Sequence, residues 1–198
     1  MQAIAFNATL RPEVGKKATK MVRNEGKIPC VMYGGEEVRY FSTILNDIKH
    51  LIYTPEFKIA EITLEGVTYR CIVKEVQYHP LTDAIIHIDF LQLNAEQIVK
   101  VQVPLRFIGV SPGVKVGGKL IQKVRRIMIK TTPENMVDEL QVDISSLDLN
   151  QSIRVKDIKV GENIEIMVSP SIPVATVETP RALRSAATAD KAGDKKKK

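Results

Sequence analysis

A histidine and an aspartate stand two residues apart in an apolar stretch, residues 84–90, AIIHIDF. Side chains alternate between the two faces of a β-strand, so His87 and Asp89 are predicted to share the face opposite Ile86, Ile88 and Phe90. The pair can act as a general base and its orienter, but a catalytic triad also needs a nucleophile, and no GxSxG or comparable motif is present. It can instead bind RNA, with His87 donating to a phosphate or 2′-hydroxyl and Asp89 accepting from a guanine amino group. A surface ion pair is the third interpretation.

Positive charge is concentrated in residues 11–27, RPEVGKKATKMVRNEGK, where six cations stand against two acids. If residues 16–25 form a helix, three of the cations fall at positions i, i+4 and i+7 on one face: Lys16, Lys20 and Arg23. Three apolar residues lie toward the other face: Ala18, Met21 and Val22. The spacing predicts a helix that packs on one side and meets phosphate on the other. A solvated amphipathic helix fits the same spacing equally well.

The net charge of +6 is unevenly distributed. Residues 181–198 carry seven cations and two acids, whereas residues 1–92 have eleven of each and residues 93–180 have eleven against ten. The folded part is therefore almost neutral, and nucleic-acid binding has to rest on the cations of residues 11–27. The chain has no apolar window of the roughly 20 residues that a membrane span needs and no charged start followed by an apolar stretch, so we expect a cytoplasmic protein.

Metal and phosphate sites are not indicated. The three histidines and two cysteines lack the spacing of a zinc site, and each cysteine lies in an apolar run, so Cys30 and Cys71 are predicted to be buried free thiols. Residues 109–118, GVSPGVKVGG, match neither glycine-rich phosphate motif and predict a tight loop rather than a phosphate cradle. We therefore expect no cofactor, no metal and no small-molecule substrate.

The predicted fold class is mainly β with short helices. Alternation predicts strands in the first domain at residues 3–10, 28–33, 37–44, 57–64, 68–74 and 84–93. Gly26 is placed to end the basic helix, Glu65-Gly66 favours a tight hairpin, and Asn46 is predicted to cap a helix that runs to Tyr53. Too few residues separate the strands for βαβ crossovers, so residues 1–93 are predicted to form a small barrel with two helices.

A second domain is predicted from residue 94 to residue 179, after the break at Asn94. It is also mainly β, with strands expected at residues 98–107, 120–131, 139–144, 164–168 and 174–177. Residues 180–198, small, polar and charged, are predicted to be a disordered basic tail because they lack the apolar residues needed to offset the entropy of ordering.

Four segments in this order resemble a known family: LRPEVGKKATKMVRNEGKIPCVMYGG, VKEVQYHP, HIDF and VPLRFIGVSPGVKVGG. Together they resemble the bacterial large-subunit ribosomal protein twenty-five family in its long Ctc, or general stress protein, form, over residues 3–178. The resemblance implies a first domain that is a small β-barrel similar to the anticodon-binding domain of glutaminyl-tRNA synthetase and that binds 5S rRNA in the central protuberance. It also implies a second, mostly β domain that the short form lacks.

The same resemblance implies a set of RNA-binding residues by their motif positions: Arg11, Lys16, Thr19, Lys20 and Arg23 from the basic motif, Tyr33 from MYGG, Gln77 from VQ, and His87 and Asp89 from HIDF. Two positions depart from the family pattern. Cys30 stands where a small residue usually follows the proline, and Asn24 stands where a basic or small residue often follows the arginine.

The sequence is thus interpreted as a non-enzymatic structural component of the large ribosomal subunit in the cytoplasm. It is expected to bind 5S rRNA through the basic helix and a barrel face that reads the RNA minor groove. Three alternatives stay open: a stand-alone stress-related factor that binds structured RNA, an enzyme using His87 and Asp89, and a protein-interaction module in which the second domain is active. The partner of that domain is also open, with neighbouring ribosomal proteins or 23S rRNA as the alternatives.

Overall fold

The computed structural model describes residues 2–95, 97–161 and 163–180. The chain forms two compact units, each built mainly from β-strands as predicted. One contains Met1–Val101 and Lys130–Asp138, and the other contains Gln102–Ile129 and the described residues from Glu139 onward. Because the first unit takes in residues from two parts of the chain, the boundary at residue 93 stays a prediction about independent folding. The predicted tail from residue 181 onward lies outside the described residues.

The first unit contains one seven-stranded sheet and two helices. The strands are β1 (Ala3–Asn7), β2 (Thr9–Leu10), β3 (Lys27–Tyr33), β4 (Arg39–Ile44), β5 (Ile59–Leu64), β6 (Val67–Tyr78) and β7 (Ile85–Gln92), in the spatial order β1-β5-β6-β7-β3-β4-β2. The helices are α1 (Lys16–Asn24) and α2 (Leu45–Ile52).

The N-terminal strand closes this sheet into a barrel. β1 pairs in parallel with β5 at one edge of the sheet, and β2 pairs antiparallel with β4 at the other edge. Only Ala8 separates the two strands, and its N–H bonds to the carbonyl of Thr63 at 3.0 Å. Since consecutive residues occupy both edges, the two edges lie next to each other and the sheet curls into a barrel.

The barrel interior is filled by one cluster of aliphatic, aromatic and sulfur-containing side chains. The rings of Phe41 and Phe90 lie 5.6 Å apart between centroids and tilt by 39°, within the range of favourable aromatic pairs. Cys30 and Cys71 are fully buried free thiols, as predicted, and the Cys71 Sγ atom lies 3.1 Å from the Sδ atom of Met32.

Several local predictions are confirmed and one is wrong. Gly26 ends α1 at φ +73°, and Glu65 with Gly66 forms the β5–β6 hairpin with positive φ at both positions, as a type I′ turn requires. Asn46 does not cap α2, because the helix begins at Leu45 with Ile44 at the N-cap, two residues before the predicted cap, and no side chain caps it. Two parallel strand pairs, β1 with β5 and β3 with β7, form although the linkers are too short for βαβ units, since their connections run through other strands of the barrel.

Seven further strands follow: β8 (Val99–Ile108), β9 (Lys119–Gln122), β10 (Arg126–Thr131), β11 (Leu140–Asp143), β12 (Ser152–Arg154), β13 (Glu165–Ile166) and β14 (Pro173–Glu178). They form a four-stranded sheet ordered β11-β8-β10-β13 and a three-stranded sheet ordered β12-β14-β9. Short 3-10 helices lie at Pro133–Asn135 and Val155–Asp157. No helix within the described ranges is long and apolar enough to cross a bilayer.

The sequence-based description of this region needs three corrections. The predicted loop contains a short helix, α3 (Pro112–Lys115), which starts because the Ser111 hydroxyl accepts from the Val114 N–H at its N-terminus. The single strand predicted at residues 120–131 is two strands in different sheets, β9 and β10. Strand β12 was not predicted, because its three residues are too few to show a periodic pattern.

Candidate nucleic-acid interface

Strand register brings the polar residues of three neighbouring strands onto the outside of the barrel. His87 of β7 pairs with Gln77 of β6, and Asp89 pairs with Glu75 on one side and with Val31 of β3 on the other. Their chain neighbours Ile88 and Phe90 are fully buried, as the predicted alternation requires, whereas Ile86 is only half-buried. We call the outward residues of β6, β7, β3 and β4 at this place the barrel face: Glu75, Gln77, His87, Asp89, Val31, Tyr33 and Tyr40.

His87 and Asp89 form a hydrogen-bonded pair in the middle of the barrel face. The His87 Nδ1 atom lies 2.7 Å from Asp89 Oδ1, and the two side chains are 24% and 25% exposed. Because a carboxylate only accepts, Nδ1 carries the hydrogen, which leaves Nε2 and the second carboxylate oxygen for a ligand. The cross-strand neighbours given by the register, Gln77, Glu75 and Val31, include no serine, threonine or cysteine that this pair would activate as a nucleophile.

Two irregularities of the β6–β7 ladder shape this face. The register skips Lys74, so Glu75 rather than Lys74 stands opposite Asp89. It skips Ile86 as well, and the Ile86 carbonyl accepts a hydrogen bond from Arg23 Nε at 3.2 Å. Bulges of this kind re-aim side chains and free backbone groups from the ladder. Here the bulge at Ile86 ties the C-terminal end of α1 to β7 beside His87.

Helix α1 packs against β3 and is fixed near both of its ends. Arg23 holds the C-terminal end, and Arg11 Nη2 donates to Thr19 Oγ1 at 3.2 Å in the N-terminal half. The Arg11 N–H also bonds to the Tyr40 carbonyl of β4 at 2.9 Å. Thr19 and Arg11 therefore orient the helix, whichever other contacts they make.

The remaining predicted cations of α1 are exposed. Lys16 and Lys20 lie on the same side of the helix as Arg23, as predicted. On the opposite side, Ala18 and Val22 are half-buried, whereas Met21 is 57% exposed and does not pack as the sequence pattern suggested.

Tyr33 lies half-buried at the end of β3, in the same sheet position as Leu91 of β7. Burial raises the pKa of the Tyr33 hydroxyl, and the negative charges of Asp89 and Glu75 raise it further. The hydroxyl therefore stays protonated and is available as a hydrogen-bond donor next to two carboxylates.

Three residues of the barrel face were missed by the sequence prediction: Glu75, Val31 and Tyr40. Glu75 is exposed opposite Asp89, and Tyr40, which is 42% exposed, stands opposite Val31 in β4. The cross-strand row is thus Glu75, Asp89, Val31 and Tyr40. Period-two alternation shows that each residue points outward, but only the strand order and the bulge at Lys74 show that they are neighbours.

The site contains no evident metal centre. Across the described residues, no group of three or more histidine, cysteine, aspartate or glutamate side chains is arranged to hold a metal ion. The barrel face presents a set of hydrogen-bonding groups, and the arginines and lysines of α1 lie beside it.

Comparison with known proteins gives matches along almost the whole chain. A model described as the ribosomal L25p family matches residues 6–90, and one described as the C-terminal domain of ribosomal protein TL5 matches residues 98–181. A protein of Amoebophilus asiaticus named large ribosomal subunit protein bL25 is 41% identical over 197 residues, covering all of both chains. Proteins of the same name from Cytophaga hutchinsonii and Porphyromonas gingivalis are 42% and 40% identical, over 93% and 94% of this chain and 95% and 98% of theirs.

Proposed function

The chain belongs to the bL25 family of large ribosomal subunit proteins, and from this premise we propose that it is a structural component of that subunit which binds 5S rRNA in the central protuberance. Its location is then the ribosome in the cytoplasm. The observation that supports RNA binding by the first unit is the layout of charge, with carboxylates in the middle of the barrel face and cations beside it.

That layout suits the minor groove of an RNA helix. The minor groove of A-form RNA is wide and shallow and exposes 2′-hydroxyls and base edges, while phosphates line its borders. Carboxylates repel phosphates, so Asp89 and Glu75 disfavour a phosphate at the centre of the barrel face. Asp89, which His87 holds in place, can instead accept a hydrogen bond from a guanine amino group or a 2′-hydroxyl.

Some of these residues fix the position of the protein along the RNA helix, and others only add affinity. Tyr33 and Gln77 donate and accept near the central pair, and His87 Nε2 adds a further polar contact. Lys16, Lys20 and Arg23 take phosphates, which raises affinity without reading sequence. Arg23 Nε is occupied by Ile86, but a guanidinium has four further N–H donors, so the same residue both fixes α1 and binds phosphate.

The test is equilibrium binding of the full-length chain to isolated 5S rRNA and to an arbitrary RNA hairpin of equal length at the same salt concentration. We expect 5S rRNA to bind at least about 30-fold more tightly, because two or three base-edge contacts each contribute about 1–3 kcal/mol. Equal affinities would overturn the 5S assignment. Failure of the native protein to cosediment with large subunits, despite selective RNA binding, would favour a stand-alone RNA-binding stress factor.

A further inference from the structure

Cations in the second half of the chain are concentrated in one short stretch. Residues 93–180 are almost neutral, yet residues 117–133 contain five of their eleven cations and no acid. Four of these five are exposed: Lys119, Lys123, Arg125 and Arg126. We call these four residues the cationic strip.

No ion pair neutralises the side chains of the cationic strip, although Lys119 stands opposite Glu178 of β14 in the strand register. Within the described part of the chain, none of its four side chains forms an ion pair or a hydrogen bond. Other cations of this unit lie near carboxylates. Arg106 bonds to both carboxylate oxygens of Glu139 at 3.3 Å, and Lys159 lies close enough to Asp143 to help lower the pKa of that carboxyl. Unpaired like charges this close repel one another, and a polyanion relieves that repulsion.

Backbone bonds hold the strip in a fixed arrangement. The N–H groups of Lys123 and Val124 both donate to the carbonyl of Val174, at 2.9 and 3.2 Å, and Val174 is fully buried. The Arg125 carbonyl accepts from the Leu105 N–H at 3.0 Å, which ties the loop to β8. Lys123 and Arg125 therefore project from an ordered loop, and Lys119 and Arg126 from the strands β9 and β10 that flank it, so little backbone entropy is lost when they bind.

We propose that the cationic strip is a second RNA-contacting surface, which takes the backbone phosphates of a helix other than the one read by the barrel face. This inference rests on the proposed ribosomal function. RNA is favoured over an acidic protein because a structural position in the ribosome provides helices with regularly spaced phosphates, which the planar forks of the two arginines can bind. The strip offers no hydrogen-bond acceptors to read bases, so the contact is independent of sequence.

The test uses a full-length variant carrying Lys123→Gln, Arg125→Gln and Arg126→Gln. Its matched control carries Lys115→Gln, Lys156→Gln and Lys159→Gln, which removes the same charge from exposed positions outside the strip. Two targets are used: large subunits from which this protein has been removed, and a plain RNA duplex of about 20 base pairs. Affinities are measured between about 50 and 200 mM salt.

We expect the strip variant to bind subunits about tenfold or more weakly than the parent, and its salt slope on the duplex to fall by about two to three units, since each lost phosphate contact removes about 0.9. The control variant should change each quantity by less than half as much.

A loss on subunits but not on the duplex would indicate an acidic protein partner and overturn the RNA assignment. A strip variant indistinguishable from the control on subunits would overturn the proposal, whatever the duplex shows. The 5S assignment is tested separately by variants in the first unit, so the two can fail independently.

Discussion

The Nδ1 atom of His87 donates to the Oδ1 atom of Asp89 across 2.7 Å, within one strand on the outer surface of the barrel. The bond fixes both side chains before any ligand arrives and reduces the entropy lost when they bind. It also leaves each residue one free hydrogen-bonding atom. The pair is therefore preorganised for a polar ligand, and its two members should be energetically coupled in binding.

Replacing Asp89 by Ala should weaken binding to 5S rRNA by about 1–3 kcal/mol, because an acceptor for a base-edge donor is lost. The slope of log affinity against log salt should not change, since no cation is removed. Glu75→Ala is the matched control, because Glu75 is exposed opposite Asp89 and makes no hydrogen bond within the described residues. It should leave affinity unchanged or raise it. If Asp89→Ala tightened binding to 5S rRNA and to an arbitrary hairpin alike, Asp89 would be only a repulsive surface charge.

Lys20→Ala should change the salt slope, which Asp89→Ala leaves unchanged, and should lower affinity without regard to RNA sequence. The salt slope should fall by nearly one unit, and the affinity should drop by a similar factor on 5S rRNA and on an unrelated duplex, because a phosphate contact carries no sequence information. Lys49→Ala, at an exposed position of α2, serves as the control and should leave the slope unchanged. An equal effect of both substitutions would mean that Lys20 contributes only to the overall charge.

Tyr40 should contribute to binding through its ring. It stands in the same cross-strand row as Asp89 and is 42% exposed, which suits packing against a ribose or a base at the border of the groove. We expect Tyr40→Ala to cost about 1 kcal/mol on 5S rRNA and Tyr40→Phe to cost less than half of that. Tyr53→Ala removes an equally large and more exposed ring, at 59%, from the end of α2. A loss of the same size for Tyr53→Ala would remove Tyr40 from the interface.

The location of Tyr40 shows where prediction from the sequence stops. Charge and alternation correctly predicted α1, most strands of the barrel and the shared face of His87 and Asp89, because these depend on residues close together in the chain. The closure at Ala8, the parallel pairs and the row from Glu75 to Tyr40 depend on which distant strands pair, and on a one-residue bulge at Lys74. Local periodicity carries no information about either.

The two thiols give a prediction about stability. Burial raises the pKa of the Cys71 thiol from its ordinary value of 9.0 to about 12, and burial raises the pKa of Cys30 further. Both thiols stay protonated in the folded chain, whereas the thiols of the unfolded chain ionise above about pH 9. The free energy of unfolding should therefore fall as pH rises from about 9 to 12. Below about pH 9 these two groups should not affect it. Cys71→Ala should remove part of this dependence in denaturant titrations. At pH 8, rapid reaction of both thiols with a disulfide reagent in the native protein would contradict their burial.

The proposal that the barrel face reads an RNA minor groove is tested most directly by ribose-specific footprinting of 5S rRNA, at nucleotide resolution, in complex with the full-length chain. We expect protection of sugars on both strands of one helix, and loss of that protection when His87 and Asp89 are both replaced by Ala. Protection confined to a single-stranded loop, or a footprint that persists unchanged in the double variant, would contradict it.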